Sequence, residues 1–322
     1  MALDPALERP RLSEDPTFSD AVTCAFADEA AGVQGSVRIG LTADGASGLI
    51  MVFVDGEPAI AQAEGAIAVE GTPKDYAAVK AAGIDHEVLE PHRRWRTAVD
   101  SVAGRLDLTF EAAGPSLVLE PKTRAARLGG MEGYEQPCRV TGTLTLLAPA
   151  HEERTIRIDG VGQRGHQWGA PDWTTISLSR TVTGWFGDDL AFNVSALRPA
   201  KGHTHADEIA WSTVVRPALP EAREEDDLED EDDEDVVAVG PPQAVDAPEP
   251  RISTTTDATG RHTLATVELW ESDEGPVWTA TGEAISGTTI ELGRMRLDMA
   301  FFRWRLRGRQ GVGRYDVLRR ID

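Results

Sequence analysis

The chain has 322 residues, 41% of them apolar, so it can bury a large core and falls outside the intrinsically disordered class. Its formal net charge is −22, and −11 of that sits in the fifteen residues from Glu221 to Asp235, where twelve acids meet one base, Arg223. That balance excludes a nucleic-acid-binding face or a polybasic membrane-docking one, and two cysteines, Cys24 and Cys138, are too few for a disulfide framework or a thiolate zinc site.

Residues 1–19 are charged and contain prolines but no apolar h-region; they read as an N-terminal arm and not a secretory signal. Strands are predicted over 35–42, 48–56, 105–112 and 141–149, separated by Gly, Asp-Gly and Pro punctuation. Between them, 72–83 has the pattern of a short helix, with Thr72 as its N-cap and Gly83 as its stop. The segment Ala148-Pro-Ala-His-Glu-Glu153 reads as a boundary between a first β domain, 20–150, and a second, 151–322. Strands then resume over 154–162, 174–181, 189–198, 209–217, 262–270, 276–284 and 295–308. The stretch 217–251, an acid block with Pro-rich flanks, has too few apolar residues to fold and reads as a solvated insertion; an interaction tail is the alternative. The fold class is therefore all-β and antiparallel, with a minor helix. No apolar run reaches the eighteen residues that a membrane-spanning helix needs, and a soluble, cytoplasmic protein is expected.

Chemistry concentrates in Gly160-Val-Gly-Gln-Arg164-Gly-His166-Gln-Trp168-Gly169-Ala-Pro-Asp172-Trp173. On an extended segment Arg164, His166 and Trp168 share one face, because strand side chains alternate. A cation, a proton-shuttling imidazole and an indole that can face a carbocation or a flat apolar ligand would then line one wall. The same residues also read as a hydrogen-bonded barrel histidine surrounded by tryptophan core filler.

The run from Gly162 to Trp173 resembles the signature G-x-R-D-H-S-W-G-x-R-D-W of proteins similar to carotenoid 1,2-hydratase (hydroxyneurosporene synthase) and the lipocalin-like AttH proteins. Pro91 to Arg96 with the strand Leu106 to Glu111, Gly133-Tyr134-Glu135-Gln136 leading into Val140-Thr-Gly142, and Gly308 to Gly313 are similar to further parts of that family's pattern. The resemblance spans 20–320 apart from the acidic insertion. It implies two lipocalin-like antiparallel β-barrels in tandem, with the His-x-Trp segment opening the second. It also implies an apolar pocket for an isoprenoid or polyketide-like ligand, a tocopherol-cyclase-like or hydratase chemistry by proton transfer, and no cofactor. On that footing His166, Arg164 and Asp172 are the candidate catalytic residues, and Trp168, Trp173, Asn193, Ser195 and Trp185 the candidate ligand contacts. No metal site is assigned. The alternative is a binding or storage protein for the same class of lipophilic small molecule, without chemistry.

Two departures matter. The acid that usually precedes the motif histidine is Gly165 here, and the family's Tyr-x-Asp pair about twenty-seven residues later corresponds to Asn193-Val-Ser195. Neither can protonate an alkene near neutral pH, which argues against carotenoid hydration; Asp172 or Glu283 could substitute. Other constellations carry less. His203-Thr-His205-Ala-Asp207-Glu208 has metal-compatible types but reads first as an exposed hairpin loop. No G-x-S-x-G, G-x-G-x-x-G before a helix, or G-x-x-x-x-G-K-[ST] occurs. Along 295–307, arginines alternate with Phe302, Trp304 and Leu306, as on a barrel strand with its apolar side chains inward.

Overall fold

The computed structural model describes residues 3–217, 240–272 and 277–321; the acidic run 221–235 and its reading as a solvated loop lie outside them. Two antiparallel sheets account for nearly the whole described chain. The first comprises β1 (Ser19–Asp28), β2 (Val33–Thr42), β3 (Gly45–Val54), β4 (Glu57–Ile67), β5 (Ile84–Glu90), β6 (Arg94–Asp100), β7 (Gly104–Ala112), β8 (Leu117–Leu119), β9 (Met131–Leu146) and β10 (Arg154–Gly169). The second comprises β11 (Ile176–Trp185), β12 (Ala191–Pro199), β13 (Ile209–Arg216), β14 (Gln243–Asp246), β15 (Arg251–Thr256), β16 (His262–Trp270), β17 (Val277–Leu292), β18 (Met295–Leu306) and β19 (Arg309–Arg320).

Strand order is β4-β3-β2-β1-β10-β9-β7-β6-β5 in the first sheet, with β8 added to β9, and β14-β13-β12-β11-β19-β18-β17-β16-β15 in the second. These are two copies of one topology: four meandering strands, then five, with the last strand returning beside the first. Each sheet curls around its own apolar core. In the first, Glu64 on edge strand β4 accepts a hydrogen bond from the Ala82 amide (2.5 Å), just before edge strand β5, so the two edges face each other. Phe26, Trp95, Phe110 and Leu144 fill that core; Phe192, Phe302, Trp304 and Tyr315 fill the second. A third cluster, including Phe53, Trp185, Phe301 and Val312, joins the outer faces of the two sheets, and the Phe53 and Phe301 rings meet edge-on at 6.2 Å. The inward placement of Phe302, Trp304 and Leu306 agrees with the alternation in the sequence.

Three expectations change. The helix over 72–83 is only a 3-10 turn, Tyr76–Ala78, capped by the Asp75 carboxylate, after which Val79 is extended. Tyr76, Val79, Ala81 and Ala82 are all buried against the first core, and a segment of this length gains more from that burial than from isolated helix formation. A six-residue helix, α1 (Arg124–Gly129), forms elsewhere, capped by Thr123 and ended by Gly130 in the left-handed conformation, φ 60°. The motif strand β10 does not open the second sheet: it is paired with β9 along its whole length and with β1 from Val161 to Gly169 and completes the first, so the chain crosses between sheets at 170–175. Within 217–251, residues 243–246 pair with β13 as β14. No helix among the described residues is long and apolar enough to cross a membrane.

Candidate functional site

Strand β10 lies between β1 and β9, in register with both, so its two faces are defined by its neighbours. Arg164, His166 and Trp168 do share one face, and that face points into the first barrel. Gln163, Gly165 and Gln167 share the other, which meets the second sheet across a cavity.

The inward face is a closed polar network. His166 is wholly buried and lies 2.7 Å from Asp20 Oδ1; since a carboxylate only accepts, the imidazole Nε2–H donates. The Tyr76 hydroxyl donates to the same oxygen, and the Arg11 backbone N–H donates to Oδ2 at 2.8 Å. Burial lowers the His166 pKa and outweighs the pull of Asp20, so the ring is held neutral. Arg164, also wholly buried, lies 2.6 Å from Glu8 of the N-terminal arm and donates to the Tyr134 hydroxyl. Glu8 accepts as well from the His92 backbone N–H (2.9 Å) and the Trp95 indole (3.1 Å). Burial alone would raise the Glu8 pKa, but Arg164, the His92 backbone N–H and the Tyr134 hydroxyl bring it below the usual carboxylate range. The arm thus plugs the barrel, with the Arg11 guanidinium stacked 3.6 Å over the half-buried Trp168. Cys24 belongs to the same interior, and burial pushes its thiol up to about 11.

The outward face forms one wall of a cavity of about 670 Å³ between the sheets, within the size range of small-molecule sites. Its lining mixes apolar groups, such as Ala21, Ala25, Leu49, Leu297 and Leu318, and Trp185 with at least as many polar side chains, among them Thr23, Gln163, Thr181 and Thr183 and five charged groups. The central polar group is Glu135 on β9, directly opposite Gly165 in the β9–β10 register. Its carboxyl accepts from the amides of Gln163, Gln167 (2.9 Å) and Asn193 (2.7 Å). The Trp185 indole donates to Gln163 Oε1 (3.1 Å), which fixes that amide with its NH₂ towards Glu135. Burial raises the Glu135 pKa, opposed by the Arg314 charge and the amide donors, and leaves it at about 7. A Cβ at position 165 would lie 3.4 Å from the Glu135 side chain, an ordinary van der Waals contact. Arg314 is engaged with Asp316 (2.9 Å) and Ser36 (2.8 Å).

The sequence-predicted residues therefore separate into groups. Arg164, His166 and Trp168 are together but inside the first barrel, away from the cavity. Asp172 is exposed and caps a turn through Thr174 (2.8 Å), and the neighbouring Trp173 is half-buried. Trp185 lines the cavity, Asn193 is wholly buried behind Glu135, and Ser195 is half-buried further along β12. Glu283 is exposed and lies 3.5 Å from Arg303. His205 sits in an exposed turn, 3.1 Å from Glu208. Glu135, Gln163, Glu8 and Asp20 were not picked out as site residues. A signal existed for Glu135: in Gly133-Tyr134-Glu135-Gln136, alternation turns Tyr134 and Glu135 to opposite faces, one joining Arg164 and the other the cavity.

The family model described as "Domain of unknown function (DUF7064)" matches residues 4–321. No curated protein sequence matches significantly. Among solved structures, the fold is similar to that of CghA (13% identity, TM-score 0.64, covering 95% of this chain and 89% of that one). It is also similar to an AttH-like protein from Nitrosomonas europaea (12%, TM-score 0.61, 95% and 93%) and to kievitone hydratase from Nectria haematococca (10%, TM-score 0.55, 98% and 92%). At these identities the likeness concerns the tandem lipocalin-like β-barrel fold.

Proposed function

The chain belongs to the DUF7064 family, and we propose that it binds a lipophilic, terpenoid- or polyketide-like small molecule between its two sheets and transforms it by cofactor-free proton transfer. The observation that carries this reading is Glu135, a buried carboxyl raised to about 7 on the wall of a cavity whose lining mixes apolar and polar side chains. A group so poised both gives and takes a proton near neutrality, which is the requirement for hydration, ring closure or isomerisation of an unsaturated ligand. In hydration, the Glu135 proton goes to one carbon of a double bond, water adds to the cationic carbon, and the proton it sheds returns to the carboxylate. In ring closure, a second double bond takes the place of water, and a C–H proton returns instead. Trp185, its N–H occupied by Gln163, offers an indole wall to the developing cation. The proton-transfer role expected of His166 passes to Glu135, because His166 is enclosed and already committed to Asp20. That one of the structures with this fold is a hydratase supports the reaction class.

Incubating the protein with an apolar extract of its host cells, followed by native mass spectrometry, tests the reading. A retained compound that wild type converts with a pH limb near 7, and that Glu135→Gln binds without converting, is the expected result. A compound returned unchanged by wild type leaves a binding and storage protein. Retention of no apolar compound removes both.

A further inference from the structure

The charged groups on the cavity wall are Arg38, Glu64, Glu135, Arg314 and Asp316, and four of the five are satisfied within the chain. Arg314 is engaged with Asp316 and Ser36, Glu64 accepts from the Ala82 amide, and Glu135 is held by three side-chain amides. Arg38 is the exception: among the described residues no carboxylate lies within ion-pair distance of it and no acceptor within hydrogen-bond distance. It projects from β2 between Thr23 on β1 and Leu49 on β3, both of which also line the cavity. Arg38 is half-buried; a guanidinium keeps its proton, and a charge facing a cavity that fills with ligand gains from a partner of opposite sign. A neutral apolar ligand would shield the guanidinium from solvent and give nothing back, whereas a planar carboxylate matches the guanidinium fork with two parallel hydrogen bonds.

We infer that the ligand of this cavity carries a carboxylate on its apolar body, and that Arg38 is the residue that holds it. The inference rests on the inter-sheet cavity being the binding site. The Thr23 hydroxyl, cross-strand from Arg38 and on the same wall, supplies a second donor at that end. The anchored end then sets which part of the apolar body comes to Glu135.

The test uses N-phenyl-1-naphthylamine, a neutral fluorescent reporter of apolar cavities, displaced by dodecanoate or by dodecanol, which share a chain length and differ in charge. Wild type is expected to release the reporter at a dodecanoate concentration roughly tenfold or more below that of dodecanol, the scale of one charge-assisted contact. Arg38→Gln removes that gap by weakening dodecanoate and not dodecanol, and Arg38→Lys, which keeps the charge but loses the fork, restores part of it. Equal displacement by the two compounds in wild type, or a gap that survives in Arg38→Gln, overturns the carboxylate assignment while leaving the cavity as a binding site. Failure of wild type to bind the reporter, dodecanoate and dodecanol alike counts against the cavity itself, and the carboxylate assignment falls with it.

Discussion

The two faces of β10 differ by one residue in register and by opposite electrostatic designs. On the inward face, the Glu8 pKa is lowered and that of His166 is lowered too, so the ordered state prefers a carboxylate ion and a neutral imidazole. On the outward face, burial with amide donors leaves Glu135 near neutrality at about 7. The signs follow from what each face contains. Arg164, wholly buried, compensates the Glu8 charge at 2.6 Å, whereas the strongest opposite charge acting on Glu135, Arg314, is already engaged with Asp316. A motif rich in ionisable side chains can thus build a buried structural network, while its plainer neighbours of odd number face the inter-sheet cavity.

The sharpest way to break this contrast is Arg164→Met. It leaves the Glu8 carboxylate buried without its cation, and we expect a loss of about 3–5 kcal/mol in urea unfolding. The double variant Glu8→Gln/Arg164→Met should recover a large part of that loss, since the uncompensated charge is then gone; a double variant no better than the single one would show that the pair matters through shape alone.

Next in size is the pH dependence carried by Glu135. Its folded pKa, about 7, exceeds the ordinary 4.5, so the folded chain holds a proton that the unfolded chain has released between those values. Its contribution is complete below pH 4.5 and is lost as the pH rises through about 7, a span worth about 3 kcal/mol. Glu135→Gln should flatten the stability profile over that window. The inward face has the opposite sign: with the folded pKa values of Glu8 and His166 depressed, their contribution is present above the unfolded values and disappears on acidification. Glu135→Gln should leave that acid limb in place.

Two glycines on β10 give the smallest effects and the cleanest contrast. A Cβ at Gly162, on the inward side, would lie 2.2 Å from the Ala25 carbonyl oxygen and 2.9 Å from Val140, so Gly162→Ala should cost about 1–3 kcal/mol in thermal or urea unfolding. At Gly165, the nearest atom to a Cβ is the Glu135 Cγ at 3.4 Å, and Gly165→Ala should stay within about 0.5 kcal/mol of wild type. With contacts this ordinary, Gly165→Ala should also leave the pH limb of the Glu135 profile where it is in wild type.

Much of the fold was legible because alternation and turn punctuation are local. The strands around Leu106, Leu144, Phe192 and Phe302 stand out from their residues alone, and the shared face of Arg164, His166 and Trp168 follows from alternation. The segment 72–83 was misread for the opposite reason: its helical pattern is local, but the burial of Tyr76 and its hydroxyl's bond to Asp20, 56 residues away, are not. The boundary near 150 failed in the same manner, because β10 pairs with β1, a partnership between the two ends of the repeat that no short window contains.

What the amino-acid sequence determined by itself is eleven of the nineteen strands, the two-residue period along them, and the concentration of polar chemistry around β10. Only the tertiary structure decided which face of that strand closes the first barrel and which meets the second. Alternation makes two faces but does not label them: the label comes from how each sheet curls and from the packing of Phe53 against Phe301 across the seam. The same assembly buries Glu135 beside Asn193, 58 residues away on the other sheet, and it is that burial, opposed by the amide donors, that raises a carboxyl of ordinary acidity to about 7.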